Sequence, residues 1–353
     1  MALDGGAANH PLLALLPRGT ELVDSGDRPT RRRRVEAMVR AGERIDLIEV
    51  STRNLPELAP FLVSLEALVD PTTFPTRILD WCRADGVLVA VPRSLDVRVL
   101  WVRTDMVIET PRTWEDLMSG GATIGLAARG PGAVAPFVER VASRGASLDN
   151  ELGAPRFATA VTVRAVADLV RLARDRGPVD MTSWTRDDLT SAIAAGRVAI
   201  AVLGAEATAR MRRSRHADQF WIHPCPDVRS YSSATVWAVP ASCDDLAASL
   251  ELVQQLTSFE AQRHDAGRGA IPARRDVLSS LDAIDALDER RLEVLVGTID
   301  NGLTALPPRA GWAKVEERIA DALRRAYTGE WRPGDAVAAM QRASTRAVMS
   351  ARR

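Results

Sequence analysis

The chain has 353 residues, 46 % hydrophobic and 26 % charged; these are ordinary globular proportions that exclude a disordered or fibrous protein. Its 46 basic residues balance 46 acidic ones, so it has no broad positive field for nucleic acid, and its length exceeds the roughly 100–200 residues of one domain, which predicts two. Three cysteines, Cys82, Cys225 and Cys243, and four histidines, His10, His216, His223 and His264, fall in no zinc or redox spacing, so neither a metal nor a cofactor is expected.

Residues 1–9 are small and polar, and the apolar piece 12–16 is shorter than the roughly 7–15 residues of a signal-peptide core. No cysteine precedes Cys82 to carry a lipid, and no window reaches the roughly 18 apolar residues of a membrane span. As written, the chain would stay in the cytoplasm. Residues 20–50 then read as strand, helix, strand: Glu21-Leu22-Val23, a helix over 31–41, and a strand over 45–50 between Gly42 and Ser51. The Arg31–Arg34 run is followed by Val35, Met38 and Val39 at helical spacing and reads as a solvated basic face. Ser51-Thr52-Arg53-Asn54 stands at a strand's carboxyl end, where α/β sheets bind ligands.

Asp85-Gly86 predicts a turn between a helix end and a strand over 87–91 that Pro92 ends; 97–102 is a second apolar run. Thr113 caps a helix beginning at Trp114. A helical stripe over 162–176 stops at Gly177-Pro178, and Trp184-Thr185 opens a helix that Gly196 ends before a strand over 198–203. Residues 230–240, SYSSATVWAVP, are small and polar and then alternate as a strand. From 250 to 278 a helix stops and restarts at Thr257-Ser258, Gly267, Gly269 and Pro272 forbid its continuation, and Ala273-Arg274-Arg275-Asp276 leads into a short apolar run. The chain closes with helices over 315–327, ended by Gly329, and 335–348, the first preceded by Arg309 and Trp312.

The segments LTSFEAQ and AIPARRDV, with GVLVAVP, DVRVLWVRTD, PRTWEDL, AAGRVAIAVLGAE and the closing Pro307, Trp312 and Thr328-Gly329-Glu330, occur in an order that resembles the extracellular solute-binding proteins of carbohydrate ABC importers, the broad family that includes maltose-binding protein. The resemblance implies a two-lobed α/β periplasmic-binding-protein fold of type II-like topology, each lobe a mixed sheet flanked by helices. Lobe 1 would hold residues 1–103 and 237–303 and lobe 2 residues 104–236 and 304–353, with crossing hinges near 102–110, 232–236 and 303–308. It implies a monomer that binds a sugar or oligosaccharide in the inter-lobe cleft and hands it to permease subunits outside the cytoplasm, with no catalysis. The residues it offers to the ligand are Thr52, Arg53, Asn54, Asp96, Arg98, Glu206, Ser232, Ser233, Arg309 and Trp312, the last where an aromatic commonly faces sugar. Two departures stand out. Glu206 replaces an expected small or aromatic residue, and the family's first strand is absent, residues 10–18 covering only the last turns of its first helix.

The absent leader leaves a second reading open, a cytoplasmic sensor or partner-binding relative without a transport role. Asp187-Asp188 and Asp244-Asp245 suit acid–base chemistry in principle, but they stand at helix starts, where carboxylates favour the helix dipole, and no catalytic motif accompanies them.

Overall fold

The computed structural model of the protein describes residues 1–2, 12–23 and 28–351. The chain forms two compact units, Met1–Asp96 with Ser233–Leu281, and Val97–Ser232 with Asp282–Arg353. The changeovers at 96/97, 232/233 and 281/282 fall earlier than the expected 103/104, 236/237 and 303/304. For the first two the reason lies in strand pairing: Arg98–Arg103 is built into the second unit's sheet, and Ser233–Ala238 completes the first unit's.

The first unit's sheet has the order Ile48–Ser51, Ser233–Ala238, Val91–Asp96, Ile271–Pro272, each neighbouring pair antiparallel. Beyond Ile48–Ser51, Ala2 bridges in parallel to both Ile48 and Val23, with Ala2 N–H donating to Leu47 O at 2.9 Å and Glu49 N–H to Ala2 O at 2.8 Å. Ala2 therefore pairs beside this edge, where the resemblance implied a gap. Residues 21–23 do not make the expected strand; Val23 forms a single bridge. Leu13–Leu15 is a short 3-10 turn, and the part of the expected helix end at His10 lies outside the described residues.

Pro92 does not end its strand. It sits inside Val91–Asp96, opposite Val236, where the Thr235/Val236 register shift disrupts the ladder and makes its missing N–H tolerable. Asp85 and Gly86, at φ 48° and 84°, form a hairpin turn between Arg83–Ala84 and Val87–Leu88. The basic run lies on the helix Arg28–Ala41. Its solvated reading fails at Arg31, which is buried, while Arg33 and Arg34 are exposed and Arg32 pairs with Glu36 at 3.5 Å.

The motif that carried the resemblance has a structural explanation. Ser258 accepts from Ala261 N–H and caps the helix Phe259–Ala266. The Gln262 amide donates to Pro92 O at 2.9 Å and accepts from Ala273 and Arg274 N–H at 2.9 and 3.0 Å, which stitches helix, loop and sheet together. Asp265 holds Arg93 through two hydrogen bonds of 2.9 and 3.0 Å, and Arg93 also contacts Glu49; all three are buried.

The second unit's sheet runs Ile124–Gly125, Ile200–Gly204, Arg98–Arg103, Phe220–His223, the first pair parallel and the others antiparallel. A small parallel pair, Leu303–Thr304 with Ser230–Tyr231, stands apart. Thr113, Thr159 and Thr185 each close a capping box, the third with Asp188, which accounts for one of the carboxylate pairs. The helices Val134–Ser143, Ala160–Arg176, Trp312–Tyr327 and Pro333–Ala351 pack together. Within them Arg140 and Asp168 form a buried pair at 2.7 Å. Among the described residues no helix is long and apolar enough to cross a membrane.

Candidate functional site

The ends of Ile48–Ser51 and Val91–Asp96 lie at the same edge of the first unit's sheet, because both strands are antiparallel to Ser233–Ala238 between them. That topology gathers Thr52, Arg53, Asn54, Asp96 and Ser233, five of the ten candidates. Thr52 extends the ladder by one step: its N–H donates to Ala234 O at 2.9 Å, and its Oγ1 accepts from Ala234 N–H at 3.1 Å, which leaves its hydroxyl hydrogen to donate. The Arg53 guanidinium lies 3.8 Å from the Asp96 carboxylate, too far for a good direct hydrogen bond, with side chains 27 % and 35 % exposed. Asn54 donates its backbone N–H to Ser51 O at 2.9 Å and opens the helix Leu55–Leu58 without capping it. Its residue is 7 % exposed, and its side-chain amide makes no hydrogen bond among the described residues. Ser233 is buried directly opposite Asp96.

The other five candidates belong to the second unit and are more dispersed. Arg98 lies opposite Gly204 at the start of its strand, but it is buried and its Nε donates to Glu139 at 2.8 Å. Glu139 also accepts from Tyr231 N–H at 3.0 Å, and burial pushes its carboxyl above the usual range although Arg98 and Tyr231 pull it down. Arg98 N–H donates to Ser230 Oγ at 2.9 Å, and Ser230 Oγ meets Ser232 Oγ at 3.1 Å. Arg98 and Ser232 therefore clamp one chain segment to another inside the unit. Glu206 is exposed and ion-paired with Arg186; its carboxylate folds back over Gly204, where any Cβ would collide with it.

Arg309 is exposed and lays its guanidinium across Gly153, a glycine at φ 72° whose hydrogen makes room for it. Trp312 corrects the expectation most clearly. Its ring is 2 % exposed, tilted 31° against Phe157 with centroids 6.2 Å apart, so it offers no face for stacking. It is the first residue of an amphipathic helix and anchors that helix in the core. The sequence reading missed Glu139 and Arg186, the partners of two candidates. A lone carboxylate inside an apolar helix, VAPFVERV, was the available signal for the first.

These donors and acceptors suit an uncharged polar ligand; no group of three or more metal-ligating side chains occurs among the described residues. The sequence profile described as "Bacterial extracellular solute-binding protein" matches residues 22–287. Nothing among the curated proteins matches the chain. Similar solved structures include the maltose-bound MalE3 of T. maritima, 22 % identical over 92 % of this chain and 90 % of that one, with a TM-score of 0.78. A ribitol complex of an ABC-transporter solute-binding protein from Agrobacterium radiobacter K84 is 17 % identical over 98 % of both chains, TM-score 0.81. An α-D-tagatose complex from Thermotoga lettingae TMO is 18 % identical over 91 % and 89 %, TM-score 0.76. At these identities the likeness establishes the fold, which is the two-lobed one the sequence motifs implied.

Proposed function

This chain belongs to the bacterial extracellular solute-binding proteins, and from that premise we propose that it captures a small polyhydroxylated molecule, a sugar or sugar alcohol, for an ABC importer and passes it to the membrane permease outside the cytoplasm. The observation that carries the reading is the polar edge of the first unit's sheet, above all the Asn54 amide, which makes no hydrogen bond among the described residues, beside the Thr52 hydroxyl. An amide and a hydroxyl that can both donate, next to an Arg–Asp pair 3.8 Å apart, suit vicinal hydroxyls, each of which donates one hydrogen bond and accepts others. The maltose, tagatose and ribitol of the similar structures are ligands of that kind. With Trp312 in the core, recognition rests on hydrogen bonds more than on ring stacking, which favours a compact polyol or monosaccharide over a long oligosaccharide.

The reading is tested by calorimetric titration of the protein with ribitol, mannitol, tagatose and maltose, repeated on Asn54→Ala. One of the four should bind. The variant should bind it about 10- to 100-fold more weakly, the effect of losing hydrogen bonds worth about 1–3 kcal/mol. No binding by any of the four, or undiminished affinity in Asn54→Ala, overturns it.

A further inference from the structure

A cavity of about 630 Å³ in the second unit shares no residue with the candidate sugar site. Its wall is formed by residues 109–112, by residues 223–225 with Val228, and by Arg290 of the helix Ala286–Asn301. The volume is that of a small-molecule pocket. The Arg112 side chain makes no ion pair or hydrogen bond among the described residues. Arg290 is held in place by its Nε, which donates to Ile222 O at 3.0 Å, and by one terminal nitrogen that reaches Glu293 at 2.6 Å. Its other terminal nitrogen has no protein partner among the described residues.

His223 lines the same cavity as both arginines, half-buried, with Nε2 3.4 Å from Thr110 Oγ1. Burial, with Arg290 and Arg112 adding repulsion, lowers its pKa to about 4, so the ring is neutral near pH 7 and both arginines act on the same space. Glu109 is the one carboxylate in the wall, set against two guanidinium groups. The rest of the lining is apolar: Pro111, Pro224, Cys225 and Val228. The loop that contributes Val228 holds an unusual backbone. Asp227 and Val228 have φ of 56° and 52°, and a β-branched residue in the left-handed region is an outlier of the sort that clusters at ligand sites. The conformation is fixed by Asp227 N–H donating to Arg112 O at 2.8 Å and by Trp114 N–H donating to the Asp227 carboxylate at 3.2 Å, and it leaves Val228 42 % exposed at the cavity.

From this arrangement we infer that the cavity is a second binding site, for a small organic anion whose carboxylate is gripped by Arg112 and Arg290 and whose apolar body lies against Pro224 and Val228. A guanidinium pair matches the planar geometry of a carboxylate, and the apolar walls select a hydrocarbon body over inorganic phosphate. The inference does not depend on the identity of the sugar ligand.

The test is titration of the full chain with hexanoate, hexan-1-ol and inorganic phosphate, followed by calorimetry or by chemical shifts of residues 109–112 and 223–228. Hexanoate should bind with a submillimolar dissociation constant, more weakly at high salt, and at least 10-fold more tightly than hexan-1-ol or phosphate. Arg112→Ala and Arg290→Gln should each weaken hexanoate 10-fold or more and leave any sugar or polyol affinity unchanged. Arg53→Ala should leave hexanoate binding intact. Equal binding of alcohol and acid, phosphate binding as tightly as hexanoate, or hexanoate affinity unaffected by both arginine variants would each overturn the inference.

Discussion

Arg53 and Asp96 stand 3.8 Å apart at the edge of one sheet, with 27 % and 35 % of their side chains exposed; Arg98 and Glu139 stand 2.8 Å apart beside the other, with 9 % and 0 %. The charges are alike and the environments are not. Around Arg53 the neighbouring Asn54 amide and Thr52 hydroxyl retain hydrogen-bonding capacity, whereas around Arg98 the groups bond to one another through Ser230, Ser232 and Tyr231, and the Glu139 Oε2 left over is shut away from solvent. An arginine at a sheet edge is therefore a ligand candidate only when its surroundings leave polar groups over for a ligand. Position in the sheet does not decide the matter; the pairing of the neighbours does.

The comparison breaks most visibly at Glu139. Replacing it with alanine leaves the Arg98 guanidinium buried without its partner and Tyr231 N–H without an acceptor, so denaturant unfolding should show a loss of about 3–5 kcal/mol. Glu139→Gln, which keeps an acceptor for Tyr231, should recover part of this. A loss under about 1 kcal/mol would mean the clamp is dispensable. Trp312→Ala should cost about 3–5 kcal/mol by emptying the space against Phe157, with ligand affinity retained in the folded fraction. An unchanged denaturation midpoint with lost affinity would move that ring from the core to the ligand.

A smaller, pH-dependent effect belongs to Asp168. Burial raises its carboxyl pKa, but the hydrogen bonds and charge of Arg140, with Arg164 and Arg144, outweigh burial and hold it below the ordinary 3.8. Because the folded pKa is depressed, the stabilisation is present above the unfolded pKa and is lost as pH falls through the folded one. Wild type should therefore lose stability below about pH 4 more steeply than Asp168→Asn, measured as melting temperature against pH. Parallel acid limbs would show that the carboxylate gains nothing from its arginines. The smallest stability effect is expected at the exposed edge: Arg53→Ala should shift stability by less than about 1 kcal/mol, as half-exposed pairs do.

Much of the fold was legible because it rests on local chemistry. The Thr113 and Thr185 caps, the Asp85-Gly86 turn and the Ser258 restart are read from side chains that bond within a few residues of themselves. The family resemblance was legible for a related reason: LTSFEAQ and AIPARRDV are held together by Gln262, whose side-chain oxygen accepts from Ala273 and Arg274 N–H. The changeovers between units were misplaced because they depend on which sheet a strand joins, and Arg98–Arg103 is apolar enough for either. Of the candidate site, strand-end position pointed to Thr52, Arg53 and Asn54, and the strand pairing sets Asp96 and Ser233 at the same edge; sequence could not separate Arg53 from Arg98, since the difference lies in Glu139, 41 residues further along. Trp312 failed for the same reason. Its core partner Phe157 is distant in sequence, and an aromatic before an amphipathic helix looks alike whether it faces ligand or core.

The most direct test of the account is a calorimetric titration of wild type, Arg53→Ala and Glu206→Ala with whichever sugar or polyol binds, with melting temperatures measured alongside. The first unit's edge predicts a loss of 10-fold or more in Arg53→Ala, less than 3-fold in Glu206→Ala, and nearly unchanged melting in both. Full affinity in Arg53→Ala together with a large loss in Glu206→Ala would place the ligand's principal contacts on the second unit and contradict the account.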